Sequence, residues 1–446
     1  MPPAPPLPNN KQTYYGMELW LNLVLLCSCL TLANARQKLL LISFDGLRWD
    51  YTDDVDTPNF DDVSRSGVRV PYMTPCFVSL SAPCHWTMAT GQYPESHGVV
   101  HNVYYDITTG ERIDWPNSLT NSRWMDAGAE PIWITAKRQG KRVGTYFFPG
   151  GSVDIKGMRA DKIVPMGTTT NTLEDWKERV DTVMMWLSRD DLDLVTLYFS
   201  QPDLDVHYHG VGSEERKRMV RQVDSVIGYL REEIRRNDLE ATLNVIIASD
   251  HGARDVNTSP HQIELLNYVP ESYLQFYLAD YGPLAIIQPK DGKLEEVYTL
   301  LSNAHPNMTV YEKEDFPANL HWANHPRVPA ILAMADPTFV IYSTYPGYPP
   351  LLSEHGWDPR LPDMRAYFRA FGPSFKVDYD VAPFESVNLY PLMCRVLGVA
   401  PAPNNGSLSL VESMLRDDVS SGHVVGVNMA AVTMATAAAI LLSCQT

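Results

Sequence analysis

Cysteine is scarce in this chain, six residues among 446, with Cys27 and Cys29 in an apolar amino-terminal run and Cys444 close to the carboxyl terminus. That leaves Cys76, Cys84 and Cys394, an odd number too small for a disulfide scaffold, with room for one bridge in an oxidising compartment. Positive charge is also short. Lys and Arg number 36 against 53 Asp and Glu, and no long basic cluster occurs, which argues against a nucleic-acid partner. A small anionic substrate would then need local metal charge. Charged residues make up 20% and hydrophobic residues 45%, so a substantial core can be buried. Terminal segments aside, the sequence reads as one large α/β domain over residues 36–405.

Residues 1–35 read as a signal peptide: an apolar run over residues 19–32 ends in Ala33-Asn34-Ala35, a small-x-small cleavage pattern. Its n-region is only weakly basic, and Met17 is an alternative start. A membrane anchor is the other reading, against which stand the short run and its interruption by Asn22 and Ser28. Sequons at Asn257, Asn307 and Asn405 agree with export and predict N-glycans there. At the other end, a linker over residues 406–423 leads into a hydrophobic tail, residues 424–446. Small residues Ser420, Ser421 and Gly422 before that tail suggest a lipid-anchor signal, with a type I span as the alternative. Either way the domain is expected on the extracellular face of the plasma membrane.

Three apolar runs each end in a carboxylate. Val245, Ile246, Ile247 and Ala248 stop at Ser249, Asp250, His251 and Gly252, and Leu39, Leu40, Leu41, Ile42, Ser43 and Phe44 stop at Asp45-Gly46. Leu194, Val195, Thr196, Leu197, Tyr198 and Phe199 are followed by Gln201, Pro202 and Asp203, with His207 four residues on. Such runs predict buried strands, and in open α/β sheets the carboxyl ends of strands frame the ligand crevice. Three carboxylates gathered there would repel one another. A pair of cations resolves the conflict.

Residues 56–66 predict a helix closed by Gly67, whereas residues 73–102 read as irregular. That irregular stretch holds Ser79, Ser81, Cys84, His85, Thr90, His97 and Asn102. A hydroxyl in a loop that runs into a helix is placed to act as a nucleophile, and the bland alternative is a serine that only caps or turns. Pro131, Ile132, Trp133, Ile134 and Thr135 look like a strand or a strand–helix junction, and Val143 to Phe148 form another apolar run, with the aromatics Tyr146, Phe147 and Phe148, closed by Pro149, Gly150 and Gly151. Trp176, Val180, Val183, Met184 and Leu187 recur at helical spacing, as do Met219, Val223, Val226, Ile227, Leu230 and Ile234. Strand, helix, strand predicts that the runs before Asp203 and Asp250 are parallel neighbours. Over residues 262–344 only a helix near 294–302 stands out, with no catalytic spacing. His355, between Glu354 and Gly356, sits at a turn and is free to point inward, and Cys394 reads as a core thiol.

Taken in order, Asp45-Gly46, the Ser81 loop with Thr90-Gly91, Tyr93-Pro94-Glu95-Ser96-His97-Gly98, Asp203 to His207, Asp250-His251-Gly252 and His355-Gly356 resemble the ecto-nucleotide pyrophosphatase/phosphodiesterase family of the alkaline phosphatase superfamily. The resemblance covers nearly all of the chain outside its termini. It implies an alkaline-phosphatase-like fold with a mostly parallel central sheet flanked by helices. It also implies two Zn²⁺, one held by Asp203, His207 and His355 and the other by Asp45, Asp250, His251 and the oxygen of Ser81. Ser81 falls at the nucleophile position, where many relatives carry Thr, and Asn102 would donate its amide to the phosphoryl oxygen. Relatives usually have Gly where this chain has Val206, and Asp205 with His209 offers an overlapping pair; Pro202 and Gly210 select the Asp203/His207 register.

Within the family, Met73-Thr74-Pro75, Ser81-Ala82-Pro83-Cys84-His85 and Phe148-Pro149-Gly150-Gly151 resemble the sphingomyelin-cleaving branch. That implies a choline phospholipid substrate at a membrane or micelle surface, split into phosphocholine and ceramide. Aromatic faces attract a quaternary ammonium group, and Phe148, Tyr146, Trp115 and Phe276 are the candidate rings, each with plain core packing as the alternative. A nucleotide pyrophosphatase/phosphodiesterase with the same metals is the alternative activity. A silent adhesion protein is the alternative class.

Overall fold

Leu39, Leu40, Leu41, Ile42 and Phe44 are apolar without alternation because both faces of their strand are covered. Leu39 and Leu41 enter one buried cluster with Trp86 and Leu389, while Leu40, Ile42 and Phe44 enter another with Trp176 and Val223. The computed structural model describes residues 36–167, 170–256, 262–344 and 351–420. The expected signal peptide, the hydrophobic tail and Asn257 lie outside the described residues. Among those described, no helix is long and apolar enough to cross a membrane.

In chain order the strands of the two main sheets are β1 (Lys38–Phe44), β2 (Gly67–Arg69), β3 (Val143–Tyr146), β4 (Lys162–Val164), β5 (Leu194–Phe199), β6 (Leu243–Ala248), β7 (Leu274–Tyr281), β8 (Leu284–Pro289), β9 (Met308–Glu312), β10 (Ile331–Ala335), β11 (Phe368–Phe371) and β12 (Tyr379–Asp380). The larger sheet has the order β12-β2-β11-β6-β1-β5-β3-β4. Every pairing is parallel except those of β11, which runs against both β6 and β2. The expected mostly parallel sheet is therefore present. One detail differs: β5 and β6 are parallel but not neighbours, because β1 lies between them, pairing Leu40 with Val195 on one side and Val245 on the other. Three carboxyl ends thus meet side by side.

The main helices are α1 (Pro58–Ser66), α2 (Ser81–Thr90), α3 (Ile132–Arg138), α4 (Leu173–Ser188), α5 (Asp203–His209), α6 (Glu214–Arg236), α7 (Leu294–Ser302) and α8 (Leu389–Leu397). The long α6 starts at Ser213, whose hydroxyl accepts the Arg216 N–H, carries Glu214 and Glu215 in its first turn and Arg235 and Arg236 in its last, and so suits the helix dipole at both ends. It also supplies the cap that α1 lacks. Buried Asp224 accepts the backbone N–H groups of Asn59 and Phe60 at 3.0 and 2.9 Å.

Two local expectations are corrected. Residues 73–102 are not irregular throughout, since Ser81–Thr90 is helical with all ten residues buried, and a helix without a polar face shows no amphipathic stripe. Ile132–Arg138 is likewise a helix and not a strand, buried from Ile132 to Ala136. The smaller sheet, antiparallel in the order β7-β8-β10-β9, was not anticipated. It builds its own core from Leu274, Ile287, Val297 and Ile331 under α7.

Residues 37–420 form one compact unit. The segment expected to be a linker from residue 406 belongs to it as far as Ser420, because Val411, Met414 and Leu415 are fully buried and Leu415 bridges to Phe375. Asn405 is exposed and Asn307 half-buried.

Candidate active site

The carboxylate-bearing turns after β1, β5 and β6 interlock. Asp203 donates its backbone N–H to the Asp45 carbonyl at 3.1 Å, and the Gly46 N–H donates to Asp250 Oδ1 at 3.0 Å. Gly46 has φ +64, and a Cβ placed on it would lie 2.7 Å from Asp203 Cβ, so both conformation and space demand glycine. With Oδ1 of Asp250 held, its Oδ2 is buried without a hydrogen-bond partner, as is Asp203 Oδ1. Orphaned carboxylate oxygens at this depth are costly unless a cation completes them.

The seven predicted ligands come together. Asp203 and His207 sit one turn apart on α5, with His207 Nε2 3.2 Å from Asp203 Oδ2, and His355 Nε2 lies 3.8 Å from Asp203 Oδ1. His251 Nε2 lies 3.1 Å from Asp250 Oδ2 and 3.4 Å from Asp45 Oδ1. Ser81 Oγ is 3.3 Å from His251 Nε2 and 3.5 Å from Asp45 Oδ1. The rings of His251 and His355 stack at 3.7 Å, joining the two sets. All three histidines are aimed the same way: each Nδ1 donates to a backbone carbonyl, His207 to Ser353 at 2.8 Å, His355 to Ser79 at 2.8 Å and His251 to Gly252 at 2.9 Å. That fixes the tautomer and leaves each Nε2 lone pair for a metal. The donors present fit two divalent ions.

The competing register is not used. Asp205 accepts from Gln201 Nε2 at 2.8 Å and Arg218 at 3.0 Å, and His209 is exposed. Val206 packs into the core with Phe44 and Met219. His85 lies close enough to Asp45 and Asp250 to be a third-ligand candidate, but both its nitrogens are engaged. Its Nδ1 donates to the Ser81 carbonyl at 2.7 Å and its Nε2 accepts the Ser43 hydroxyl at 2.8 Å, so its role is structural.

Electrostatics without a cation reflect the crowding. Burial, then repulsion from Asp250 and Asp203, pushes Asp45 well above the usual carboxylate range, and burial pushes Asp250 up to about 8. Burial resists ionisation of Asp203, yet His207 and His355 hold it below its ordinary value. Burial also opposes charge on His207, but Asp203 overrides it and raises the ring to about 10. A carboxylate trio that cannot all ionise alone is a site waiting for positive charge.

Asp45, Ser81, Asn102, Asp203, His207 and His355 line a cavity of about 420 Å³, with Asp250 and His251 fully buried behind them. Ser81 opens α2 and lines this cavity. Asn102 accepts the Ala82 N–H through Oδ1 at 2.7 Å. Of the four predicted cage rings only Trp115 lines the cavity. Phe148 is 3% exposed and packs edge-on against His85 and Trp133; Tyr146 packs against Phe147 and Trp186; Phe276 stacks on Tyr105. Phe147, at φ +56 just past the end of β3, lines the cavity in place of its neighbours. Tyr281, Asp280, Met166 and Arg179 also line it and were missed. Tyr281 ends β7, on the sheet the sequence left unread, and nothing marked Arg179 out from its helix. Tyr198, whose hydroxyl donates to Asp45 Oδ2, had a signal: its register opposite Ser43 puts it one residue from the end of β5.

A family model described as type I phosphodiesterase / nucleotide pyrophosphatase matches residues 39–358. Ectonucleotide pyrophosphatase/phosphodiesterase family member 7 of Mus musculus is 45% identical over 407 residues, covering 90% of this chain and 92% of that protein. The Homo sapiens member 7 is 46% identical over 389 residues, 86% of this chain and 85% of that one. Among solved structures, an inactive form of murine ectonucleotide pyrophosphatase/phosphodiesterase 5 in complex with AMP is similar with a TM-score of 0.80 at 34% identity, covering 85% of this chain and 100% of that one. The fold is accordingly alkaline-phosphatase-like, and that fold implies a two-metal site where the Asp and His groups lie. The chain belongs to the type I phosphodiesterase / nucleotide pyrophosphatase family and is a hydrolase of phosphodiester bonds.

Proposed function

We propose that this enzyme is a zinc-dependent phosphodiesterase of phospholipase C type that cleaves sphingomyelin, and other choline phospholipids, releasing phosphocholine. The observation that carries the chemistry is the place of Ser81, at the start of α2, 3.3 Å from His251 Nε2 and 3.5 Å from Asp45 Oδ1, beside the Asp45, Asp250 and His251 set. Two Zn²⁺ held by Asp203, His207, His355 and by Asp45, Asp250, His251 with Ser81 would supply Lewis-acid stabilisation of the attacking and leaving oxygens. Ser81 Oγ attacks phosphorus in line with the ceramide oxygen, the P–O bond to ceramide breaks, and phosphocholine is left on the serine. Water then cleaves that ester, and two displacements give net retention at phosphorus. Asn102 presents its side-chain NH₂ to a non-bridging oxygen as charge grows on it.

Choline recognition falls to the rings that line the cavity, Trp115, Phe147 and Tyr281, with the Asp280 carboxylate beside them. The resemblance to the sphingomyelin-cleaving branch supports the same substrate. The domain acts outside the cell, with N-glycans at Asn257, Asn307 and Asn405 and membrane attachment through its tail.

A second reading has its own observation. The Arg179 guanidinium lies 5.0 Å from the Phe147 ring centroid, and that cation favours an anionic or neutral group there over choline. A nucleotide, as in the murine structure with AMP, would suit it. Competition decides: phosphocholine inhibits at concentrations where AMP does not if choline is the recognised group, and the reverse order would make nucleotides the substrate.

A further inference from the structure

We propose that Cys76 and Cys84 form a disulfide that closes the loop carrying Ser81. Their sulfurs lie 3.5 Å apart and both residues are buried, 3% and 0% exposed. A disulfide needs about 2.05 Å, so the sulfurs have about 1.5 Å to close. The third described cysteine, Cys394, lies on α8 as a separate buried thiol.

The position gives the bond a consequence. Within residues 76–84, Ser79 offers its carbonyl to His355 Nδ1 at 2.8 Å, accepts the Gly356 N–H at 3.1 Å through its hydroxyl, and donates that hydroxyl to the Trp357 carbonyl at 2.8 Å. Two residues on, Ser81 begins α2. The short loop therefore positions one metal-site histidine and the candidate nucleophile together. A covalent tie from Cys76 to the first turn of α2 restricts it at both ends and removes conformations from the unfolded chain. The bond stands on the thiol geometry, whichever phosphodiester is cleaved; its bearing on catalysis rests on the role proposed for Ser81.

Formation is an exchange with a low-molecular-weight disulfide such as oxidised glutathione. One cysteine thiolate attacks a sulfur of that disulfide, forming a mixed disulfide and expelling one small thiolate. The second cysteine, having lost its proton, attacks the mixed disulfide and expels nothing but the other small thiolate. Two protein thiols are oxidised by two electrons and one small disulfide is reduced to two thiols. Burial pushes the Cys84 thiol well up and shields it, so exchange in the folded protein is slow and the bond forms while the chain folds.

The test uses the full chain secreted from a eukaryotic host. The protein is denatured without reductant, alkylated with iodoacetamide and digested with chymotrypsin, which cuts after Phe77 inside the loop. The two halves should stay joined, with Cys76 and Cys84 unalkylated, and separate only after phosphine reduction; Cys394 should be alkylated throughout. Alkylation of Cys76 and Cys84 before reduction, or linkage of either to Cys394, overturns the proposal. A second measurement is Tm of Cys76→Ala, Cys84→Ala and the double variant. With a bond, each single change lowers Tm nearly as much as the double. Additive shifts overturn it.

Discussion

The side-chain oxygen of Asn102 accepts the backbone N–H of Ala82, the residue after Ser81, at 2.7 Å. Because a backbone N–H can only donate, this bond fixes the orientation of the amide and leaves its NH₂ for the cavity that Asn102 lines. Asn102 is thus tied to the loop it serves. Replacing it with Ala removes a donor aimed at a phosphoryl oxygen, and kcat should fall by about 10²–10³. KM should change little. Steady-state kinetics on a chromogenic phosphodiester read both, and a loss confined to KM would contradict the assigned role.

Metal loading should depend on pH with a definite sign. In the metal-free protein Asp45 is raised well above its ordinary value, by burial first, and Asp250 is raised to about 8, again by burial. The folded state therefore keeps protons that the unfolded chain gives up above about pH 4, and the stability of the metal-free protein from these groups falls as pH rises towards 8. A cation displaces those protons and removes that loss. The rise in Tm when Zn²⁺ is added to stripped protein should be larger at pH 8 than at pH 6. Equal rises, measured by scanning fluorimetry, would mean that the carboxylates are already ionised.

Two aromatic residues separate recognition from packing. Tyr281 lines the cavity, whereas Phe148 is 3% exposed between His85 and Trp133. Tyr281→Ala should raise KM for a choline phosphodiester several-fold with Tm nearly unchanged. Phe148→Ala should cost about 3–5 kcal/mol of stability as a cavity opens. Unfolding and kinetics on the same two variants check both, and a reversal of the two effects would put Phe148 in the binding wall.

The catalytic core was legible because its chemistry sits at the ends of strands. Asp45, Asp203 and Asp250 each interrupt an apolar run, and three adjacent parallel strands bring such interruptions together. The recognition wall was less legible. Phe147, not Phe148, lines the cavity, at a left-handed backbone angle that composition does not announce. Tyr281 and Asp280 lie where β7 ends, on a strand that carries exposed Gln275 among its apolar residues and pairs with β8 in a hairpin whose register is irregular. Helices α2 and α3 escaped for the opposite reason: α2 is buried on all sides and α3 from Ile132 to Ala136, so no amphipathic period marks them.

The central claim is that Ser81 is the nucleophile of a choline phosphodiesterase, and hydrolysis by purified enzyme and by Ser81→Ala tests it most directly. Sphingomyelin in detergent micelles and a nucleotide diester are offered in parallel, with phosphocholine and nucleoside monophosphate measured. The account predicts phosphocholine release by the native enzyme and a loss of more than about 10³-fold in Ser81→Ala, with bound zinc retained in the variant. Release that persists in Ser81→Ala, or cleavage of the nucleotide alone, would contradict it.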